Sequence, residues 1–256
     1  MDIFALILPF LFGIIIGSFL NVVSLRFRTG MGIGGRSKCM SCGKELIWLE
    51  LIPLLSFFIQ KGKCRKCKAK ISWQYPLVEF MAGAVFVLIF LRFTPISYPT
   101  ALGTVIQMII ACLLFVIVIY DIKHKIIPDQ FVYSFDILAF AGLFVGGSSW
   151  WHVPNYESLI AGPLLAAPFA FIWVVSKGKW MGLGDSKLIL GIGWMLGINS
   201  GINALVLAFW IGAAASIVWL LIAYREIRPR TEIPFGPYLI MGMYLVLLFG
   251  VQVISW

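Results

Sequence analysis

The chain has 256 residues, of which 61% are hydrophobic and only 12% are charged. Soluble domains are about half apolar and about a quarter charged, so this composition indicates a membrane protein. The formal net charge of +9 is concentrated in one loop and at the ends of apolar runs. That pattern is typical of membrane topology and leaves nucleic-acid binding as a minor alternative.

A helix needs about 20 apolar residues to cross a bilayer, and the sequence predicts about eight such spans. They are residues 3–25, 76–92, 101–120, 131–149, 157–176, 186–199, 202–223 and 235–255. We expect the sixth span, which is short, to be tilted or merged with its neighbour. The first has no basic residue ahead of it and is too long for the apolar part of a secretory signal, so we interpret it as retained.

The basic residues predict which side of the membrane each loop faces. Eleven of the 20 Lys and Arg residues lie between Arg26 and Lys70, after the first span. Eight more follow spans three, five and seven: Lys123, Lys125, Lys177, Lys179, Lys187, Arg225, Arg228 and Arg230. Only Arg92 lies on the other side. The positive-inside rule therefore makes the rich side cytosolic and places both termini outside.

The first cytosolic loop contains two C-x-x-C pairs, Cys39 with Cys42 and Cys64 with Cys67, with 21 residues between them. This spacing predicts a tetrahedral zinc site, because each short hairpin presents two thiolates to one ion. A reducing cytosol favours metal over disulfides, although two disulfides or a redox pair remain alternatives. Four Cys ligands leave no open coordination position, so the zinc would be structural. Cys112 stands alone and is interpreted as packing.

An apolar segment inside this loop, residues 46–59, is too short to be a confident span and is interrupted by Glu50 and Pro53. We expect it to lie at the membrane surface.

Two acids lie at the cytosolic ends of predicted spans. Asp121 ends span three, and Asp185 begins span six within the run "KWMGLGDSKLIL". The topology puts both carboxyls at one membrane depth, and an acid in such a position is functional by default. Two aspartates that come close share one proton and titrate as a unit. Such a pair can activate water and polarise a peptide carbonyl, as in aspartic proteases.

Each acid also has a simpler interpretation. Asp121 or Asp185 alone could pair with a nearby lysine, such as Lys123 or Lys187. Asp129 is interpreted as the N-cap of span four. Asp136, seven residues later on the same helical face, is a rival partner that ranks below Asp121 because nothing marks its neighbourhood.

Taken in order, these motifs resemble those of type IV prepilin peptidases, also called leader peptidase/N-methyltransferases. The resemblance runs almost from end to end of the chain. It is carried by "GSFLNVVSLR" (17–26), the paired C-x-x-C with "ELIPLLSF", "ISWQYPLVEF" (71–80), "DIKHKIIPD" (121–129), "GLGDSKL" (182–188) and "IPFGPYL" (233–239). One departure is Met40, where many members have proline after the first cysteine.

The resemblance implies an all-α polytopic membrane protein with a four-cysteine zinc-binding insert, whose catalytic pair is Asp121 and Asp185. The expected organisation is a first transmembrane helix at 1–25, a cytosolic zinc-binding insert at 26–75 and an aspartyl protease core at 76–256. The implied location is the bacterial inner membrane. The implied substrate is a prepilin or pseudopilin with a short basic leader, cleaved after glycine at the cytosolic membrane face.

Many members of the family also methylate the new N-terminal amine with S-adenosylmethionine. The sequence shows no independent signature for that donor, so this activity is implied by resemblance alone. Glu79 is a candidate for this activity, and its alternative is a carboxylate that caps span two. The client pilin, the position of the methyl-donor pocket and the oligomeric state stay open.

Three other functions compete. A preflagellin peptidase or presenilin-like protease is disfavoured by the zinc insert and by the absence of a Pro-Ala-Leu motif near the last span. A cation transporter is disfavoured because the marked acids lie at the cytosolic ends and no repeat is apparent. A membrane-tethered zinc-ribbon module would not need eight spans.

Overall fold

The computed structural model describes residues 3–29, 32, 34–93, 98–145, 153–222 and 233–254. Among these residues the regular secondary structure is helical, with two isolated β-bridges and no strand. The helices are α1 (Ile3–Arg26), α2 (Leu55–Ile59), α3 (Gln74–Phe93), α4 (Tyr98–His124), α5 (Asp129–Gly142), α6 (Tyr156–Ser176), α7 (Leu183–Ile222) and α8 (Gly236–Phe249), with a 3₁₀ turn at Trp48–Glu50.

The chain forms two compact units, Met1–Arg92 and Phe93–Trp256. In the first unit, α1 packs closely on α3 through Gly13 and Gly17. A Cβ atom at Gly13 would lie 2.7 Å from the carbonyl oxygen of Ala82, and one at Gly17 would lie 2.9 Å from the Ala82 Cβ. Glycines four residues apart on one helix face are typical of close helix pairs in membranes.

Between α1 and α3 the first unit contains the cysteine-rich insert. Two isolated antiparallel bridges, Lys38 with Glu45 and Lys63 with Lys70, each close a short hairpin. The apolar segment 46–59 forms the 3₁₀ turn, a bend and the five-residue α2. It is therefore not a spanning helix, and several of its large side chains are exposed, among them Trp48, Leu55, Phe58 and Ile59.

In the second unit, α7 packs against α5, α6 and α8, and α4 packs against α5 and α8. The core contains side chains from four of these helices that are almost completely buried, including Leu114, Phe135, Leu188, Ile192 and Met243. This arrangement brings the C-terminal end of α4 and the N-terminal ends of α7 and α8 into one packed body.

The helix α7 contains predicted spans six and seven, joined at Gly197. Its 40 residues would rise about 60 Å as one straight helix, roughly twice the hydrocarbon thickness. Gly197 has φ 76° and ψ −177°, which breaks the helix and which glycine adopts without steric cost. Residues 183–196 and 198–222 are therefore two helical arms separated by a kink at Gly197, so span six adjoins its neighbour and the expected merging into one helix is not observed.

Five of the described helices are long and apolar enough to cross a membrane, namely α1, α3, α4, α6 and α7, and α8 is a shorter apolar helix. The helices α5 and α8 end at Gly142 and Phe249, earlier than predicted spans four and eight. For α8 the reason is local: Gly250 is left-handed, and the amides of Val253 and Ile254 donate to Oδ1 of Asn203 instead of continuing the helix. The predicted end of span four at 146–149 lies outside the described residues, as do Arg225, Arg228 and Arg230.

Candidate active site and metal centre

Asp121 lies in the last turns of α4 and is 3% exposed. Its Oδ2 accepts a hydrogen bond of 3.1 Å from the backbone N–H of Gly236, the first residue of α8. Pro237 suits this first turn because it needs no N–H there and its φ is already helical. The carboxyl therefore faces the partially positive end of α8, which stabilises a negative charge.

Asp185 lies in the first turn of α7 and is half-buried. The backbone N–H of Gly182 faces its carboxyl group. A Cβ atom at Gly182 would lie 3.6 Å from Oδ2 of Asp185. An acid three residues into a helix that bonds back to the preceding amide is one half of a capping box, so Asp185 also fixes the start of α7.

The two carboxyls belong to one site. Asp185 lies close enough to Asp121 for their charges to interact. The buried side chain of Ile127 links the two backbone segments, because a Cβ at Gly184 would lie 2.8 Å from Cβ of Ile127 and one at Gly236 would lie 3.3 Å from its Cδ1. The end of α4, the start of α7 and the start of α8 thus meet around one side chain.

The two lysines that could have neutralised Asp121 and Asp185 are Lys123 and Lys187, and neither forms an ion pair with them in the described structure. Lys187 contacts Oδ1 of Asp129 at 2.7 Å and lies over the ring of Tyr133. Among the described residues, neither Asp121 nor Asp185 forms an ion pair. The interpretation of Asp129 as an N-cap is wrong: α5 begins at Asp129 itself, and its carboxylate is held by Lys187.

The rival acid, Asp136, lies on α5 and is 6% exposed. A Cβ at Gly191 of α7 would lie 2.5 Å from its Oδ1. Gly191 is six residues beyond Asp185, or about 9 Å along the helix. Neither carboxyl oxygen of Asp136 has a hydrogen-bond partner within the described part of the chain. The Asp136 carboxyl therefore lies beside α7, farther from the N-terminal end of that helix than the Asp185 carboxyl.

The four cysteines of the insert converge. Their sulfur atoms all lie within 4.8 Å of one another, and Cys39 and Cys67 are 3.8 Å apart. A zinc ion with Zn–S bonds of about 2.3 Å at the centre of a tetrahedron separates its sulfurs by about 3.8 Å. A disulfide needs about 2.05 Å, and the described cysteines are all free thiols. The four residues fit a tetrahedral thiolate-bound metal.

The two hairpins repeat the same hydrogen bonds. The amides of Gly43 and Lys68 donate to the carbonyl oxygens of Cys39 and Cys64, and both residues have a positive φ. Backbone N–H groups of Cys67 and Lys66 lower the pKa of Cys64 to about 6. Those of Cys42 and Ser41 lower the pKa of Cys39. Both shifts favour the thiolate, which is the form that binds metal. At Cys67 the Ala69 amide is outweighed by burial and the neighbouring cysteine side chains, which raise the pKa to about 11.

Residues 11–93 match the Bacterial Peptidase A24 N-terminal domain, and residues 108–217 match the Type IV leader peptidase family. A prepilin leader peptidase/N-methyltransferase of Bacillus subtilis is 32% identical over 251 residues, covering 96% of this chain and 95% of the relative. A protein of the same name from Aeromonas salmonicida is 31% identical over 97% of this chain and 92% of the relative.

The chain belongs to the type IV leader peptidase family. A third relative, the type 4 prepilin-like proteins leader peptide-processing enzyme of Escherichia coli O78:H11, is 29% identical over 93% of each chain. No solved structure matches. The boundary between the two family models falls where the structure divides, since the first ends at residue 93 and the first unit ends at Arg92.

Within the N-terminal domain of this family member, Glu79 does not cap α3. The helix begins at Gln74, so Glu79 lies beyond its first turn. Instead Oε2 accepts a 2.7 Å hydrogen bond from the backbone N–H of Leu54, and Ser18 of α1 also bonds the carboxyl. The capping interpretation is therefore wrong. Glu79 ties α1, α3 and the insert together.

Glu50 is a second buried acid in the insert. Its side chain has no exposed surface, and Lys44 contacts Oε1 at 2.8 Å. The Lys44 ammonium and the Ile47 amide hold the pKa of Glu50 below its usual value. Arg65, between the cysteines of the second hairpin, lies 3.9 Å from the same oxygen. Glu50 therefore connects the two cysteine hairpins electrostatically.

Sequence reasoning missed two contributors to these sites. Gly236 donates to Asp121 from 115 residues away, and its only sequence signal is the Gly-Pro pair that opens α8. Asn21 is fully buried in α1, bonds the carbonyl oxygen of Tyr75 and accepts from Gln74. A lone asparagine inside a predicted span was the available signal for this second contributor.

Proposed function

We propose that the chain is a prepilin leader peptidase whose catalytic pair is Asp121 and Asp185. The observation that supports this most strongly is their position around Ile127, within charge–charge range of each other and with no cation paired to either in the described structure. Relatives that match nearly the whole chain are named for this activity.

In the proposed hydrolysis, one carboxylate removes a proton from water while the other, protonated, donates a hydrogen bond to the scissile carbonyl oxygen. The water oxygen bonds to the carbonyl carbon and forms a tetrahedral diol. Breaking the C–N bond then transfers a proton to the departing amine and leaves a carboxylic acid on the leader. Two acids that exchange one proton are sufficient for each of these steps.

The substrate we propose is a prepilin or pseudopilin whose short basic leader ends in glycine. A hydrophobic segment follows the cleaved bond and would remain in the bilayer. Glycines 182 and 184 suit a close approach of substrate backbone to Asp185. Because Asp121 ends α4 and Asp185 starts α7, a substrate cut at the membrane face would reach both carboxyls.

We propose a multi-pass protein of the bacterial inner membrane with eight spans, counting the arms of α7 separately. The Lys and Arg distribution would place the insert and both aspartates in or at the cytosol and both termini outside. We also propose the functional division 1–25, 26–75 and 76–256, in which α3 serves the protease core although its contacts place it in the first unit.

Cys39, Cys42, Cys64 and Cys67 would hold one zinc ion, which supplies folding free energy to the insert and no reactive position. The exposed apolar side chains of segment 46–59 would rest on the membrane surface. We further propose that the chain methylates the new N-terminal amine, with S-adenosylmethionine supplying the methyl group.

Purified protein incubated with a synthetic prepilin peptide tests the proposal by mass spectrometry. We expect loss of the leader, followed by addition of one methyl group when the donor is present. Asp121→Asn and Asp185→Asn should each lower the cleavage rate by about 10²–10⁴-fold, the range for removing a general acid or base.

Asp129→Asn is the matched control, because Asp129 lies in the same segment as Asp121 but is exposed and ion-paired. It should retain nearly the wild-type rate. Cleavage by either Asp121→Asn or Asp185→Asn at the wild-type rate would show that the assignment is wrong.

A further inference from the structure

The first unit contains a cavity of about 480 Å³ that the peptidase activity does not use. It lies between the C-terminal half of α1, the cysteine insert and the start of α3, and its lining includes Ser18, Val22, Phe57, Tyr75 and Glu79. Sites for small organic ligands measure about 300–1,000 Å³. The cavity is therefore large enough for a nucleoside-sized ligand.

Glu79, on α3, is an acidic side chain in the lining of this cavity. It is 6% exposed and is bonded by the Leu54 amide and by Ser18. A carboxylate has about four acceptor positions, so two of them stay available to a ligand. A buried acid held in one orientation by two donors suits the recognition of hydroxyl groups or of a cation.

Basic side chains also line the cavity. Arg36, Lys38 and Lys70 contribute to its lining from the insert, and Arg36 and Lys38 also contact Glu45 outside the lining. The second acid in the lining, Glu50, is already neutralised by Lys44. The cavity thus offers one available carboxylate, Glu79, and cationic side chains from the insert.

Two aromatic side chains, Phe57 and Tyr75, complete the lining. Phe57 is held by Trp73, whose ring centroid lies 4.8 Å away. Aromatic faces stack with nucleobases and attract cations. A ligand that combines a base, a diol, a positive centre and a carboxylate would find a complementary group for each of them in this lining.

We propose that this cavity is the binding site for S-adenosylmethionine, with Glu79 facing its ribose and sulfonium and the basic side chains of the insert receiving its carboxylate. This inference rests on the proposed methylation activity and assigns it to the first unit. In this proposal Glu79 binds S-adenosylmethionine, and the residues of the cavity orient the methyl donor and exclude water from it.

Direct binding tests the site without relying on turnover. S-Adenosylhomocysteine and S-adenosylmethionine would be titrated calorimetrically into the purified, zinc-loaded full chain. ATP shares the adenosine but brings negative charge toward Glu79, so it should not compete. Ultraviolet crosslinking of radiolabelled S-adenosylmethionine, followed by peptide mapping, should place the label within residues 18–79.

Two variants locate the ligand in the cavity. Glu79→Gln keeps an acceptor for the Leu54 amide but removes the charge, and it should weaken S-adenosylmethionine binding at least about tenfold, as expected for losing a charged hydrogen bond. Val22→Phe fills the cavity from α1 while keeping the Glu79 carboxylate, and it should weaken binding of both ligands. Glu157→Gln, at an exposed acid in the first turn of α6 and outside the lining, should bind within about twofold of wild type, because it removes a charge that does not border the cavity. Zinc content reports that each variant is folded.

The outcomes separate this inference from the proposed function. If both variants retain zinc and bind the donor as wild type does, or if the label maps to residues 93–256, the cavity assignment is overturned while methylation stands. If wild-type protein cleaves prepilin but binds neither ligand, the cavity assignment and the methylation activity both fail.

Discussion

The acids of the two units have different partners. In Met1–Arg92, Glu50 is neutralised by Lys44, and Glu79 is bonded by an amide and a hydroxyl. In Phe93–Trp256, Asp121 and Asp185 each face a backbone amide at a helix N-terminus and, among the described residues, no cation. The comparison teaches that Glu50, through its cationic partner, and Glu79, through donors from two other segments, hold structure together, whereas two acids that lie near each other without a cation are free to exchange protons.

Removing the metal should break the first unit and leave the second intact. Cys39→Ser combined with Cys64→Ser removes two of the four ligands and should reduce bound zinc from about one per chain to nearly none. Because structural zinc contributes about 10–16 kcal/mol to small metal-dependent folds, the insert should then unfold. Hydrogen exchange should then accelerate in residues 34–73 and stay unchanged in residues 98–145.

Cys112→Ser is the control for this experiment, since Cys112 lies on α4 and outside the cysteine cluster. It should keep the zinc. A wild-type chain that is folded and contains no metal would contradict the predicted site.

A change at Gly236 sharpens the comparison within the second unit. A Cβ at this position would lie 2.7 Å from Oδ2 of Asp121, so Gly236→Ala should displace that carboxyl. Misplacing a catalytic group by about 1 Å can cost about 10²-fold in rate, and we expect a 10- to 100-fold slower cleavage with unchanged zinc content.

The matched variant is Gly103→Ala on α4, the helix of Asp121, where the built Cβ meets no atom within 4 Å. Its cleavage rate should not change. Equal rates for Gly236→Ala and wild type would mean that the amide contact at Asp121 is unimportant to catalysis.

The ion pair of Glu50 should matter more than an exposed pair in the same insert. Breaking a buried pair costs a few kcal/mol, so Glu50→Gln should accelerate loss of zinc to a chelator by roughly tenfold. Glu45→Gln interrupts only the exposed contacts with Arg36 and Lys38 and should change this rate by less than about twofold. Similar rates of zinc loss for Glu50→Gln and Glu45→Gln would show that the buried ion pair stabilises the metal site no more than the exposed one does.

Local sequence patterns predicted the parts of the fold that depend on few residues. Two C-x-x-C pairs specify two hairpins, and the thiols do lie within 4.8 Å of one another. Apolar runs interrupted by charge predicted the helices, and the sidedness that the Lys and Arg distribution gives Asp121 and Asp185 stays a prediction. Each of these depends on residues that are near in sequence or on the bilayer as a common reference.

Contacts between distant segments had no local signal. The link from Leu54 to Glu79 spans 25 residues, and the one from Gly236 to Asp121 spans 115. The break at Gly197 was equally hidden, because glycine also occurs inside continuous membrane helices. For Asp129 a local signal was misleading. Its sequence position suited an N-cap, but the carboxylate accepts a hydrogen bond from Lys187, 58 residues away.

A double-mutant cycle on cleavage tests most directly whether Asp121 and Asp185 work as one unit. The rates of wild type, Asp121→Asn, Asp185→Asn and the double variant would be measured on one prepilin peptide. Groups that act together are strongly non-additive, so the double variant should cleave no more slowly than the slower single variant. If the two losses instead multiply, or if one single variant cleaves as wild type does, the carboxyls do not form a catalytic pair.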